Sequence, residues 1–356
     1  MNYSNPISRL FFLAGVGISA ALVFAQITPP ALGAAAGKPY KVINTVQVMG
    51  AGPIDYVYAD NDGRRVYVPR GNQILVFDLD TLKSVGVITN SSRARGVAVD
   101  PKSHHAFCSS SPVIMWDSKT LEKIKSIDVQ GGPDGIVFEP TTERIYVFSH
   151  RAPNVTVIEA KDGSVAGTID LGGAPEQAAG DGQGHLYVAL EDKDQIAVVD
   201  VKTLKVTAHY DLGGKGHGPA GLGLDAKNHI LFAFCGDSAT AVILSAEDGK
   251  ILATLPIGKG TDGGGFNPMT MEAFSSQRDG TLTIIKEVSP TSFEVAQTVQ
   301  TKQGAKTCTL DTKNNQIVLI TTERAPAGAS PPPPADGSGA RRGGGPSMLD
   351  ILVVGQ

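Results

Sequence analysis

The stretch RIYVFSHRAPNVTVIEAKDGSV, from Arg144 to Val165, decides the fold. Two runs rich in Val, Ile and Tyr flank a polar break, and the second run ends on an acid that precedes a turn. The same phrase returns as VYVPRGNQILVFDLDTLKSV from Val66 and as LYVALEDKDQIAVVDVKTLKV from Leu186. Short β-branched runs bounded by polar and glycine-containing breaks predict β-strands. The chain is therefore expected to repeat one strand-turn-strand unit.

The spacing of the copies predicts the architecture. Each copy has a polar residue at the end of its first strand, and successive copies lie between 39 and 44 residues apart. These residues are Asp60, Asp100, Glu139, Asp181, Asp225, Asn267 and Asp311. A period near 40 residues with about four strands in each unit is typical of propeller blades. The sequence predicts an all-β fold, a seven-bladed β-propeller with four-stranded blades.

The last copy lacks its fourth strand. After Asp311 the chain supplies only two more predicted strands, at residues 316–321 and 349–354. The segment YKVINTVQVMG, from Tyr40 to Gly50, resembles the fourth strands of other copies but follows no first three strands. We expect this amino-terminal strand to close the last blade, because closure removes the sheet edges that an open array would expose.

Two segments fall outside the repeat. Residues 1–25 place Arg9 before an apolar run that ends in a small-residue site at Ala25, which is the layout of a signal peptide. A membrane anchor is the alternative, but the run is short for a spanning helix. Residues 26–39 form a linker, and the propeller is expected at residues 40–356, with a disordered Pro/Gly-rich loop insertion at 325–347. The mature protein is then periplasmic or secreted and has no transmembrane segment.

Composition excludes some classes of function. The chain has 31 basic and 35 acidic residues and a net charge of −4, so it offers nucleic-acid phosphates no general attraction. Its three cysteines, Cys108, Cys235 and Cys308, lie far apart, unlike the dense cysteines of a disulfide scaffold. We expect all three to be buried.

Four stretches of the repeats resemble one bacterial family. They are LYVALEDKDQIAVVDVKTLKV, IYVFSHRAPNVTVIEAKDGSV, FNPMTMEAFSSQRDGTLTIIKE and the ending DILVVG. From about Tyr40 onward the chain resembles the YVTN-repeat, YncE-like β-propellers that bacteria export. The literal Tyr-Val-Thr-Asn string is absent, and only Tyr-Val is kept, at Tyr67, Tyr146 and Tyr187. The resemblance implies a binding or envelope protein. Relatives of similar architecture include lactonases, so the resemblance does not exclude catalysis.

A ring of charge is predicted where the first strands begin, next to the propeller axis. Counting back five residues from each first-strand end reaches a charged residue in six of seven copies: Asp55, Arg95, Asp134, Glu176, Asp262 and Lys306. We interpret these residues as an axial ring that binds a ligand. The alternative is a structural ring of ion pairs. The four carboxylates, Asp55, Asp134, Glu176 and Asp262, are candidate ligands for a divalent cation.

Loops around the same opening supply further candidate binding residues: Arg70, His150, Arg151, His217 and Arg278. The insertion at 325–347 lies in the corresponding loop of the last copy and is interpreted either as a cover for this mouth or as a tolerated insertion.

The function predicted from these features is an exported binding or scaffold protein that engages a small molecule or an envelope protein at its axial mouth. No G-x-S-x-G, H-E-x-x-H or P-loop motif occurs, so no catalytic residue is assigned and the enzyme interpretation is not favoured. The first alternative is a metal-dependent lactonase-type hydrolase. The second is single-stranded nucleic-acid binding, which the net charge and the few aromatic residues disfavour. A monomer is expected.

Overall fold

The computed structural model describes residues 38–152, 154–326, 328 and 346–356. These residues form 28 β-strands in seven four-stranded antiparallel sheets, and one short 3-10 turn, Glu191–Lys193. The predicted seven-bladed all-β propeller is therefore confirmed. The predicted signal peptide, most of the predicted linker and residues 327 and 329–345 of the predicted insertion lie outside the described residues.

The first strand, β1, spans Lys41–Gly50, and the blades follow it in chain order. Blade 1 consists of β2 (Tyr58–Asp60), β3 (Arg65–Arg70), β4 (Gln73–Asp78) and β5 (Ser84–Ile88). Blade 2 consists of β6 (Val97–Asp100), β7 (His105–Cys108), β8 (Val113–Asp117) and β9 (Lys123–Ile127). Blade 3 consists of β10 (Pro133–Glu139), β11 (Arg144–Ser149), β12 (Val155–Glu159) and β13 (Val165–Ile169).

The remaining blades keep the same order. Blade 4 consists of β14 (Pro175–Gly180), β15 (His185–Leu190), β16 (Gln195–Asp200) and β17 (Lys205–Asp211). Blade 5 consists of β18 (Pro219–Asp225), β19 (Ile230–Cys235), β20 (Thr240–Ser245) and β21 (Ile251–Pro256). Blade 6 consists of β22 (Thr261–Asn267), β23 (Glu272–Gln277), β24 (Thr281–Ser289) and β25 (Ser292–Gln300). Blade 7 consists of β26 (Thr307–Asp311), β27 (Gln316–Arg324), β28 (Ser347–Gly355) and β1.

Blade 7 is closed by the amino-terminal strand, as the sequence predicts. β1 pairs with β28 in antiparallel register, with Lys41 opposite Gly355 and Gly50 opposite Ser347. The pairing of β27 with β28 is longer than expected. The sequence predicts strands at residues 316–321 and 349–354, but the two strands remain paired as far as Arg324 and Ser347. Residues from both ends of the described chain therefore hold one sheet together.

The core is divided among the contacts between blades. Each of seven apolar clusters in the described chain combines residues from two neighbouring blades; one, for example, contains Tyr146 and Val157 of blade 3 with Val188 and Val199 of blade 4. The middle strands of a blade are buried on both faces, so their sequences are nearly continuous apolar runs. Full burial of one such Val or Leu contributes about 1.5–3 kcal/mol. Cys108, Cys235 and Cys308 are free and buried, as expected.

The end of the propeller opposite the mouth is built from turns capped by strand-end acids. Asp78 accepts a hydrogen bond from the backbone N–H of Thr81 at 2.8 Å, and Asp200 accepts one from Thr203 at 2.8 Å. A side-chain acceptor two or three residues before these N–H groups fixes a tight turn. We call this end of the propeller, opposite the mouth, the turn end. In the part of the chain that the structure describes, no helix is long and apolar enough to cross a membrane.

Candidate functional site

The axial residues are positioned by irregularities at the start of the inner strands. The pairing register of blade 3 shifts between Pro133 and Ile136, and similar shifts occur at the starts of the inner strands of blades 4 and 6. Asp134, Glu176 and Asp262 lie inside these shifts. A bulge releases a residue from the ladder and redirects its side chain. Local strand geometry thus allows carboxylates from separate blades to reach one opening.

One half of the predicted ring is a chain of ion pairs. Arg95 Nη1 lies 2.5 Å from Asp55 Oδ2, and Lys306 Nζ lies 3.5 Å from Asp55 Oδ1. Lys306 is also paired with Asp262. The four residues come from blades 2, 1, 7 and 6, so this series of ion pairs joins the last blade to the first. Both carboxylates are therefore neutralised by protein cations.

The other half of the ring is centred on a histidine. His150 Nε2 lies 2.9 Å from Glu176 Oε1 and 3.4 Å from Asp134 Oδ2. The hydroxyl of Tyr56 donates a hydrogen bond to Glu176 Oε2 at 2.8 Å. Arg95 Nη1 is 3.7 Å from Asp134 Oδ1 and joins this half to the first. All six predicted ring residues are thus brought together, and His150 and Tyr56 join them.

Burial and crowding change the protonation of this half. Burial, reinforced by the nearby Asp55 and Glu176 carboxylates, raises the pKa of Asp134 to about 6. The hydrogen bond to Glu176 raises the pKa of His150 to about 9, so its imidazole is positively charged at neutral pH. The mouth therefore has four carboxylates and three cationic side chains, those of Arg95, Lys306 and His150. It is less acidic than the four acids and two bases of the predicted ring indicate.

A cavity of about 270 Å³ lies along the axis, lined by residues that include Tyr56, Glu176 and Gln177. Glycines on the inner strands allow the close approach: a Cβ at Gly135 would lie 3.0 Å from the carbonyl oxygen of Glu176, which is tighter than ordinary packing. The Gln177 amide accepts a hydrogen bond from the N–H of Gly264 and donates one to its carbonyl oxygen, at 3.0 and 2.8 Å. This side chain satisfies inner-strand backbone groups of blade 6 from blade 4.

Arg70 is not at the mouth, which corrects the prediction from its loop position. Its side chain is only 1% exposed. The guanidinium donates hydrogen bonds to the carbonyl oxygen of Val48 at 3.2 Å and to the carbonyl oxygen of Ser347 at 2.8 Å. Arg70 therefore ties β3 to both strands of the closing seam, and its Nη1 and Nη2 donate within the protein rather than to a ligand.

Three other predicted loop residues are exposed and lie apart from the ring contacts. His217 Nδ1 lies 2.7 Å from Asp194 Oδ2, a contact separate from the ring. Arg151 and Arg278 are exposed, and no side-chain hydrogen bond or ion pair of theirs occurs among the described residues. These residues remain predictions for contacts to a large ligand.

The candidate cation ligands separate into two groups. Asp55 and Asp262 are paired with Arg95 and Lys306. Asp134, Glu176 and His150 instead bring one donor atom each to within 4.8 Å of one another. The sequence suggested all four carboxylates as cation ligands but did not join His150 to the set, and it missed Tyr56 as the donor that orients Glu176. Tyr56 was visible as a large residue at a mostly small position of the repeat.

Solved structures share the fold of this chain. U3-55K superposes with a TM-score of 0.69, over 88% of this chain and 99% of its own, at 10% sequence identity. The RRP9 WD40 repeats superpose with a TM-score of 0.69, over 89% and 98%, at 11% identity. At such identities the likeness shows the propeller fold alone. No protein-family model and no curated protein matches the sequence.

Proposed function

We propose that this chain is an exported propeller of the YVTN-repeat, YncE-like kind that binds a small polar ligand at its axial mouth. The observation that carries the proposal is the meeting of six charged side chains from six different blades in one network, above an axial cavity. Six of the seven blades supply a charged residue to a common opening, and a propeller fold is consistent with such a binding role.

The contacts in the mouth can be exchanged for contacts to a ligand. Arg95 and Lys306 have side chains that are 40% and 27% exposed, whereas their partner Asp55 is only 10% exposed. Arg95 and Lys306 are exposed enough to rotate outward, so a ligand cation can take their place beside Asp55 without leaving this buried carboxylate unpaired. The mostly buried carboxylates are stabilised most by a charged partner that remains bound to them. The geometry therefore favours a ligand with an ammonium or metal-bound group.

Export is proposed from residues 1–25, with cleavage before Gln26. The test is expression of the full chain in a bacterium, fractionation of the cells, and sequencing of the amino terminus. We expect the periplasmic or secreted protein to begin at Gln26. An uncleaved chain that stays with the membrane would instead support the anchor alternative.

The ligand role is tested by melting temperature against single probes: putrescine, lysine, glycine betaine, glutamate and gluconate. We expect at least one amine probe to raise the melting temperature of the wild type by several degrees and to leave that of Asp262→Asn/Lys306→Gln unchanged. This double variant removes one ion pair without changing the net charge.

The control variant removes an exposed ion pair at the turn end, Lys102→Gln/Glu143→Gln. It should respond to the same probe as the wild type does. If no probe shifts the wild type, or if both double variants respond equally, the proposed axial binding is wrong. Binding of an envelope protein through the same mouth would require competition with the active probe.

A metal-dependent lactonase-type hydrolase is the second candidate, favoured by the Asp134, His150 and Glu176 cluster. Hydrolysis of gluconolactone and of a homoserine lactone, with and without Zn²⁺, tests it. The binding proposal expects no rate above buffer. Single-stranded nucleic acid is disfavoured because the mouth cations are already paired with carboxylates; a labelled DNA oligonucleotide should show no change in fluorescence anisotropy.

A further inference from the structure

We propose that Asp134, His150 and Glu176 bind a divalent transition-metal ion such as Zn²⁺, through which the mouth holds its ligand. This inference deepens the proposed function, because it names the chemistry of the same mouth and rests on that mouth being a binding site. The metal ligands are one carboxylate each from blades 3 and 4 and the imidazole that follows β11.

The spacing of the donor atoms fits a small metal ion. His150 Nε2 is 2.9 Å from Glu176 Oε1 and 3.4 Å from Asp134 Oδ2, and the three donors lie within 4.8 Å of one another. Bonds of about 2.0–2.2 Å in a tetrahedral site place neighbouring ligand atoms roughly 3.3–3.6 Å apart. Adjustments below about 1.5 Å, within the range of side-chain rotation, would bring the three donors onto one ion, and the Nε2 proton of His150 is released to solvent when the metal binds.

One oxygen of the cluster lacks a partner. Asp134 Oδ1 is inaccessible to solvent and accepts no hydrogen bond from any described residue; Arg95 Nη1, at 3.7 Å, is too far to donate one. A buried polar atom without a partner costs about 1–3 kcal/mol. The oxygen nearer His150 is Oδ2, so a metal ion would give Oδ1 a partner if both oxygens of Asp134 bind it or if the carboxylate rotates to present Oδ1.

Glu176 is oriented by a second contact. The hydroxyl of Tyr56 donates to Glu176 Oε2 at 2.8 Å and leaves Oε1 facing His150. Hydrogen bonds of this kind fix the orientation of metal-binding carboxylates, and their removal typically costs 10–100-fold in metal affinity. Tyr56 is therefore a positioning residue for the site.

The donor set selects the kind of metal. An imidazole nitrogen with two carboxylates suits Zn²⁺, Mn²⁺, Co²⁺ or Ni²⁺. Ca²⁺ requires about 6–8 oxygen ligands, and the remaining ring carboxylates, Asp55 and Asp262, are occupied by Arg95 and Lys306. The side chain of His150 is 42% exposed, so the mouth side of the cluster is open to a further ligand.

Zinc titration of the tag-free protein, followed by calorimetry and by metal analysis after desalting, tests the site. We expect about one Zn²⁺ for each chain and no heat with Ca²⁺ or Mg²⁺. His150→Gln, Glu176→Gln and Asp134→Asn should each weaken zinc binding at least 10-fold, and Tyr56→Phe should weaken it less. Co²⁺ should give visible absorption bands in the wild type that His150→Gln lacks.

His185→Gln is the matched control, because His185 also contacts a carboxylate, Asp181 at 2.8 Å, but at the turn end and with no third metal-binding side chain grouped with it among the described residues. It should bind zinc as the wild type does. Equal zinc binding by the wild type and His150→Gln, or no zinc binding at all, overturns the metal site. Amine probes that still shift the wild type in that case would leave the proposed function standing, whereas loss of both responses would remove it as well.

Discussion

Asp200 and Glu176 lie at opposite ends of blade 4, and different groups hold their carboxylates. Asp200, at the turn end, accepts hydrogen bonds from the backbone N–H groups of Lys202 and Thr203 at 2.9 and 2.8 Å. Glu176, at the mouth, is held by the side chains of His150 and Tyr56. A backbone donor cannot move away without unfolding the turn, whereas a side chain can rotate to admit a ligand. The contacts of the acid at the turn end are thus fixed by the fold, whereas those at the mouth can be replaced by contacts to a ligand.

The difference also appears in protonation. The backbone hydrogen bond from Thr203 lowers the pKa of Asp200, and that from Thr120 lowers the pKa of Asp117. Burial among other carboxylates raises the pKa of Asp134 to about 6. A lowered carboxylate pKa means that folding stabilises the ionised form, and a raised one means that folding disfavours it. Asp200 and Asp117 therefore stabilise the fold in their ionised forms, and ionised Asp134 weakens it.

The largest effect is expected where a turn-end acid also joins two blades. Asp311 is 1% exposed and accepts hydrogen bonds from Arg64 Nη1 and Nη2 at 2.7 and 2.9 Å. Asp311→Ala should lower the free energy of unfolding by about 3 kcal/mol, because it removes one partner of a largely buried pair. Urea denaturation measures this loss, and zinc affinity should not change.

Asp80→Ala is the matched control, since Asp80 is the exposed second partner of Arg64. Its urea midpoint should remain close to that of the wild type. An Asp311→Ala protein as stable as the control would mean that the turn end does not carry the stability that we assign to it.

Glu287 is an exception that can break the comparison. It lies near the end of β24 at the turn end, but it accepts a hydrogen bond from the Asn228 side chain and its Oε2 has no partner among the described residues. Burial, together with the neighbouring Asp225, raises its pKa to about 7. Because the folded-state pKa lies above the usual value, the wild type should lose stability as the pH rises from about 4.5 to 7.

Glu287→Gln should therefore be about 2 kcal/mol more stable than the wild type at pH 8 and similar to it at pH 4.5, as measured by denaturation at each pH. Asp117→Asn is the control: the pKa of Asp117 is lowered, so its contribution changes only below about pH 4. A constant difference between Glu287→Gln and the wild type across pH 4.5–8 would show that Glu287 behaves like the other turn-end acids.

The smallest effect, and one of opposite sign to that of Asp311→Ala, is expected at the mouth. Asp134→Asn in metal-free buffer at pH 8 should raise the free energy of unfolding by about 1 kcal/mol, because it removes a buried charge near Asp55 and Glu176. Urea denaturation in the presence of EDTA measures it. A loss as large as that of Asp311→Ala would mean that Asp134 is structural and would remove the contrast between the two ends.

The sequence predicts the blades and the ring because both depend on a repeat. A period near 40 residues determines the strand count, and one position in each copy gives Asp55, Arg95, Asp134, Glu176, Asp262 and Lys306. The structure brings these residues together because each one occupies the same position of its copy, at the start of the strand next to the axis. The position within the repeat was therefore enough to identify side chains that meet at the axis, although they are up to 251 residues apart in the chain, the separation of Asp55 and Lys306.

The partners of these residues could not be predicted in the same way, since they depend on loop paths that differ between blades. Arg70 is the last residue of β3, and the equivalent ends of β11, β15 and β19 are the buried Ser149, Leu190 and Cys235. That alignment could have placed Arg70 inside the blade. The contact of His150 with Glu176 has no such signal, because it depends on where the loop after β11 turns.

The seam between β1 and β28 sets the order of events when the chain folds. β1 pairs with β28, the last strand of the propeller, so it must wait until nearly all of the propeller has been synthesised. Blades 1 to 6 are contiguous in sequence and can form their hairpins earlier, at a lower loop-closure cost. Asp55 and Lys306 lie on opposite sides of this seam and meet only after it has closed. A growing chain therefore has no complete mouth, and affinity for a ligand appears at the final step of folding.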